Sequence, residues 1–266
     1  MPFDQMPAAG APPALFLHPL HSRFVVIAIG IVWLACAPAA LAQAPPQQQQ
    51  TWTVIAGAGL ALTSGNTDTS TVNMSYNVTY DPPTRNKVKS DGLLIRGKTE
   101  DELSADRIGL NLRDEFTINE RAYVFGENRY LRDRFKNIEY LLAPSAGLGY
   151  RPFDRPELRM TIDLGIGGAW EKNSNEDVTA SGALTIGERF EKALTGTATL
   201  TQSYSGLWQT DFIDNSLHVF NIAISAAISA RTQLKVELLD TFKSRPPLDT
   251  IQKNDVAVLI QLAYSM

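Results

Sequence analysis

From residue 52 onward, apolar and polar side chains alternate with a period of two over most of the chain. Val54, Ala56, Ala58, Leu60 and Leu62 stand against Thr53, Gly57, Gly59 and Thr63. Leu158, Met160, Ile162, Leu164, Ile166 and Trp170 stand against Arg159, Thr161, Asp163, Gly165, Gly167 and Glu171. Successive side chains of a strand point to opposite faces, whereas a helix repeats every 3.6 residues. The pattern therefore predicts strands with one apolar and one polar face, and it excludes a helical fold.

Turn-forming residues cut this pattern into about twelve segments. Among the cuts are Ser64 to Asp68, Asp81 to Pro83, Asn119 to Arg121, Arg134 to Asn137, Arg151 to Pro156, Glu191 to Ala193, Gln209 to Asn215 and Ser244 to Asn254. Gly, Pro, Asn and Asp mark such sites because they tolerate or pre-set turn dihedrals. The segments run to about 11–16 residues, against about 5–6 for a strand of a soluble protein. That length suits a tilted strand crossing a bilayer core of about 30 Å. A soluble β-sandwich would alternate too, but in short strands every 8–12 residues or so.

The expectation is an all-β fold: a transmembrane, antiparallel, up-and-down β-barrel of about twelve strands. Glycines inside the segments supply curvature. An even strand number suits a bacterial single-chain barrel. Val256, Val258, Ile260, Leu262, Tyr264 and Met266 keep the alternation to the last residue. Aromatics near segment ends, namely Tyr76, Tyr80, Tyr123, Tyr130, Tyr140, Tyr150, Trp170, Tyr204, Trp208 and Tyr264, fit interfacial girdles. With both termini in the periplasm, residues 209–215 and 244–254 face outside and Asn119-Glu120-Arg121 is a periplasmic turn.

The first fifty residues read differently. Arg23 precedes an apolar run from Phe24 to Ala37, and Ala40-Leu41-Ala42 follows it. A basic flank, a short apolar stretch and an Ala-x-Ala site make a secretory signal peptide. The organisation predicted is a cleaved signal peptide over 1–42, a polar low-complexity leader over 43–51, and the barrel over 52–266. The single cysteine, Cys36, is discarded with the signal and excludes a disulfide framework. A net charge of -4 argues against nucleic acid as a partner. The partners expected are outer-membrane lipid and, in transit, periplasmic chaperones and the barrel-insertion machinery.

Specific residues resemble a known family. Gly59 to Thr69 reads Gly-Leu-Ala-Leu-Thr-Ser-Gly-Asn-Thr-Asp-Thr. Tyr123-Val124-Phe125-Gly126, Tyr130 to Phe135 and Ala146 to Arg151 follow at matching distances. The stretch over about residues 52–266 resembles the domain of unknown function 481 family, whose members are often labelled salt-induced outer membrane proteins. The resemblance implies a barrel in the outer membrane of a Gram-negative bacterium. It implies no reaction.

Residues able to do chemistry are sparse. His218 is the one histidine beyond the signal, and it shares the apolar phase of Phe220, Ile222 and Ile224. That phase places it in the interfacial belt. A hydrolase needs a base oriented beside a nucleophile, and a zinc site needs further His or Cys ligands. No catalytic, cofactor or metal residues are assigned, and no cofactor is expected. The polar phase does carry ten charges predicted to face the lumen: Arg107, Arg113, Glu115, Glu127, Arg129, Asp163, Glu171, Arg189, Lys235 and Glu237. They either line a selective channel or pair with one another and plug the interior, and the plug is favoured. The function expected is non-enzymatic, either envelope-structural or a narrow pore. The alternatives are an outer-membrane enzyme of phospholipase type, whose mark would be a rim nucleophile bonded to His218, and a soluble periplasmic β-protein that binds a ligand.

Overall fold

The computed structural model describes residues 51–266 apart from 65–68, 100–101, 175, 212 and 249. The expected signal peptide and nearly all of the leader lie outside the described residues. Twelve strands follow in chain order: β1 Trp52–Ser64, β2 Thr69–Tyr80, β3 Asn86–Thr99, β4 Glu102–Thr117, β5 Ala122–Asp133 and β6 Ile138–Arg155. Then come β7 Leu158–Asn173, β8 Thr179–Ala193, β9 Ala198–Gln209, β10 Ser216–Ala227, β11 Thr232–Lys243 and β12 Asn254–Ser265. Each pairs antiparallel with its neighbours in sequence, and β1 closes on β12 from Ile55↔Ser265 to Ser64↔Val256. The result is a closed up-and-down barrel, which leaves no unpaired sheet edge.

Closure turns the period of two into an inside and an outside. Odd positions face the lumen: Leu259, mid-way along β12, lies at 0% exposure, and Glu115 and Gln261 are buried, while Ile138 at the start of β6 is an even-numbered exception beside a register irregularity. Even positions face out, where Leu60, Leu148, Leu164 and Ile166 stand bare, Ile166 at 69%. Each of these outward side chains would cost free energy in water, at about 25 cal/mol per Å² of apolar surface. In a bilayer the same surface meets lipid tails. The phase is held from strand to strand because the register is.

Several boundaries differ from those expected. β6 runs on through Arg151 to Arg155, with the irregularity between Tyr150 and Phe153 absorbing Pro152. Pro has no ladder donor and is accommodated where the pairing is interrupted. Thr195 and Thr197 continue the odd, polar phase of Thr199, Thr201 and Ser203, yet they lie in the β8–β9 turn. There Thr195 Oγ1 accepts from the amides of Thr197 and Ala198 at 3.2 and 3.0 Å. Such side-chain capping of a turn competes with the ladder and ends it. Between β5 and β6 a short 3₁₀ turn, η1 (Arg134–Lys136), replaces a simple loop.

Candidate functional site

The lumen is the site that the fold builds, and side chains from non-neighbouring strands meet across it. Near the barrel end that carries Trp52 and Ser265, Arg113 of β4 gathers three acids. Its Nε lies 2.8 Å from Glu115 Oε1, its Nη1 2.9 Å from Glu127 Oε2 and its Nη2 2.9 Å from Asp163 Oδ1. Glu115 and Arg113 lie two residues apart on β4 and so on one face, while Glu127 comes from β5 at Arg113's own register position. Asp163 reaches in from β7. The Arg113 guanidinium lies 3.9 Å from the Phe125 ring centre, a cation–π contact that adds to the ion pairs. Lys89 of β3 and Arg151 of β6 approach Glu115 at 2.8 and 3.4 Å. Cations and acids alternate through the cluster, so that no buried charge stands alone, as burial in low dielectric requires.

Tyr123 belongs to this cluster and not to the aromatic girdle. It is 1% exposed, and its hydroxyl donates to Asp163 Oδ1 at 2.6 Å. Its odd number carries the signal that aromatic counting overlooks. Opposite Tyr123, Gly149 leaves room for the ring, which a side chain at that position would strike.

A second layer closes the other end. Lys243 of β11 lies 2.6 Å from Glu171 of β7, and Gln209 of β9 donates to the other Glu171 oxygen at 2.8 Å. Arg107 of β4 donates to Thr241 of β11 at 2.7 Å and lies 3.5 Å from Asp133. Lys136, on η1, is fully buried. Its Nζ lies 3.0 Å from Asp255 and donates to the Lys253 carbonyl at 3.1 Å, both at the far side of the ring. The local chain explains this reach. Asp133 Oδ1 accepts the Lys136 amide at 3.2 Å and so caps η1, and Asn137 then takes a φ of 58°, a conformation Asn tolerates better than most residues. The turn thereby points Lys136 inward.

Apolar side chains pack beside these bridges. Ile95 of β3, Leu239 of β11 and Leu259 of β12 form one cluster inside the ring. Leu131, Ile138, Leu141 and Leu207 form another on the opposite wall.

Of the ten charges singled out in the sequence, six enter these layers: Arg107, Arg113, Glu115, Glu127, Asp163 and Glu171. Arg129 pairs with Glu127, and Lys235 with Glu237, which also takes a hydrogen bond from Asn221. Arg189 stands apart, exposed on the lumen wall among Thr201, Ser203 and Ser205. Lys89, Lys243, Asp133 and Asp255 were legible by the same odd-number rule but not selected. Lys136 was not legible, because it lies in a turn where the alternation has stopped.

His218 lies on the outer face, as its phase predicts, amid Tyr204, Trp208 and Phe242. There it has the kind of rim neighbour that the hydrolase alternative calls for. Ser216 Oγ lies 2.9 Å from His218 Nε2, and Tyr204 Oη lies 2.7 Å from Nδ1. Ser216 shares the even, outward phase of His218, two residues away on β10.

With this geometry in place, comparison with known proteins supplies kinship. Residues 56–266 match the family described as protein of unknown function, DUF481. The chain belongs to this family. The uncharacterized protein YdiY of Escherichia coli strain K12 is 27% identical over 215 residues, which span 79% of this chain and 81% of YdiY. Among solved structures, the NanC porin superposes with a TM-score of 0.52 at 8% identity, over 80% of this chain and 98% of the porin. The translocator domain of the autotransporter NalP from Neisseria meningitidis gives a TM-score of 0.49 at 10% identity, over 82% of this chain and 90% of that domain. The likeness to NanC is one of fold: this DUF481 member shares with it a closed antiparallel barrel.

Proposed function

We propose that the protein is a non-enzymatic barrel of a Gram-negative outer membrane whose lumen is held shut, so that it serves the envelope as a structural element rather than as an open pore. The observation that carries this reading is the set of lumen bridges Lys136–Asp255, Lys243–Glu171 and Arg107–Thr241, each with at least one fully or nearly buried partner, which join non-neighbouring strands across the ring. Twelve strands lie between the filled barrels of about 8 and the open porins of 16–18, so the side chains decide. Export uses the signal peptide over 1–42, the leader over 43–51 is left as a spacer, and chaperones and the insertion machinery act in transit. The longer connections 210–215 and 244–253 face outside, because barrels of this type keep their short turns in the periplasm.

Conductance of the refolded barrel in a planar bilayer tests the closed lumen. The unaltered protein is expected to be silent, and Lys136→Ala combined with Lys243→Ala to give stepwise currents. Steady currents through the unaltered protein would replace this reading with a narrow pore, for which the ten lumen charges would set selectivity.

One observation favours a second reading, a lipid hydrolase of phospholipase type. Ser216, His218 and Tyr204 have the spacing of a nucleophile, a base and an orienting group. Against it, the Ser216 amide donates to Ser244 Oγ at 2.7 Å, and β10 is laddered on both sides, which leaves no neighbouring amides to hold an oxyanion. Ser216 is also buried.

A further inference from the structure

The outer face is apolar over most of its circumference, but one sector of its rim is basic. At the barrel end opposite Trp52, the outward positions of β3, β5 and β7 carry Arg96, Arg132 and Lys172, and η1 adds Arg134. Among the described outward positions of β8–β12 at that same end there is no Lys or Arg; Trp208, Ser216, His218, Asp240 and Phe242 stand there instead.

One carboxylate organises the sector. Asp106, outward on β4 and itself buried, lies 3.2 Å from both Arg132 Nη2 and Arg134 Nε, and it is the register partner of Arg96 on β3. It engages one nitrogen of each bound guanidinium, Nη2 of Arg132 and Nε of Arg134. Arg134 is 58% exposed and Arg96 is exposed as well. Among the described side chains, the acids of the sector are Asp106 and the exposed Glu139 at the irregularity opening β6, with Glu176 and Asp177 exposed on the β7–β8 connection, where Lys172 donates to the Glu176 carbonyl. Tyr140 pairs with Lys172 in register, and Trp170 lies two residues from it on the same outward face, so the charges stand directly above aromatic side chains of the kind that mark the edge of the hydrocarbon region. Leu110 and Leu142 continue the face toward the membrane interior.

We propose that Arg96, Arg132 and Arg134 form a binding site for the phosphate-bearing headgroup of an anionic lipid in the leaflet that meets this rim. A guanidinium offers paired donors that match phosphate oxygens and keeps its charge at any physiological pH. A lipid fits better than a free ion because the donors project from the lipid-facing side, with apolar surface beneath them to receive acyl chains. The inference rests on the membrane setting of the barrel and not on whether its lumen conducts.

Native mass spectrometry of the detergent-solubilised full barrel tests the site, with phosphatidylglycerol and zwitterionic phosphatidylcholine as probes. The expected result is at least about tenfold tighter retention of phosphatidylglycerol, as for several charge-assisted contacts. Arg96→Gln/Arg132→Gln/Arg134→Gln should abolish that preference, while Lys192→Gln, at the opposite rim, should keep it. Should the triple variant fail to fold, Arg134→Gln alone changes a largely exposed side chain, leaves Asp106 its pair with Arg132, and should still weaken retention severalfold. Equal retention of the two lipids, or unchanged preference in Arg134→Gln and the folded triple variant, would overturn the proposal. Displacement of phosphatidylglycerol by millimolar inorganic phosphate would overturn the lipid as the ligand.

Discussion

Lys243 Nζ lies 2.6 Å from Glu171 Oε1, with both side chains 3% exposed, so a buried ion pair ties β11 to β7 inside the ring. Removing one member leaves the other charged and buried, which costs about 3–5 kcal/mol. Lys243→Ala and Glu171→Ala are each expected to destabilise by that amount in urea unfolding followed by tryptophan fluorescence. Replacing both with Met should cost less than either single change, because no charge is then stranded.

Arg113 is the hub of the other layer, since three acids converge on its guanidinium. Arg113→Ala should cost about 3–5 kcal/mol. Lysine should restore only part of the loss, because its three donors radiate from one nitrogen, whereas the three carboxylates are set on three separate nitrogens of a planar fork. Tyr123→Phe, which removes one hydrogen bond to a carboxylate, should cost about 1.5–3 kcal/mol. Equal stability of Arg113→Lys and the unaltered barrel would contradict the clamp geometry.

Ile166 faces outward and Thr201 faces the lumen. Arginine at 166 should cost about 2–4 kcal/mol in lipid vesicles, and arginine at 201 much less. In a soluble β-protein the first substitution would instead be harmless or solubilising. The comparison therefore separates a membrane barrel from a periplasmic one.

Gly59 sits where β1 meets β12, and a side chain there would run into the Ile260 carbonyl. Gln261 also passes this point to reach Asn73 and Ser75 on β2. Gly59→Val is expected to lose about 1–3 kcal/mol by overpacking and to reduce the heat-modifiable, folded band on gels.

Ser216 is expected to resist serine-directed fluorophosphonates, and Ser216→Ala to leave lipid turnover at background. Covalent labelling at Ser216 that disappears in His218→Ala would revive the hydrolase reading.

Much of the fold was legible from the chain. Leu164 and Ile166 face outward and Asp163 faces the lumen as their numbers alone predict, because the two-residue pleat is a local property that each strand carries with it. Legibility stopped wherever the pleat was interrupted. Arg151 opens a stretch of turn-forming residues ending at Pro156, yet the strand continues through an irregularity and brings Arg151 to Glu115. Tyr123 was grouped by residue type when its phase placed it inside. Lys136 belongs to no strand, and only the capped turn of η1 directs it across the lumen.

The sequence by itself determined that the strands are two-faced and number about twelve, and which residues lie on which face, because these follow from local periodicity and turn chemistry. Only the tertiary structure decided which charges meet. Lys243 finds Glu171, and Arg107 finds Thr241, because ring closure carries β11 round to face β7 and β4. Those distances depend on the register of every intervening strand pair, a non-local quantity that no single segment encodes.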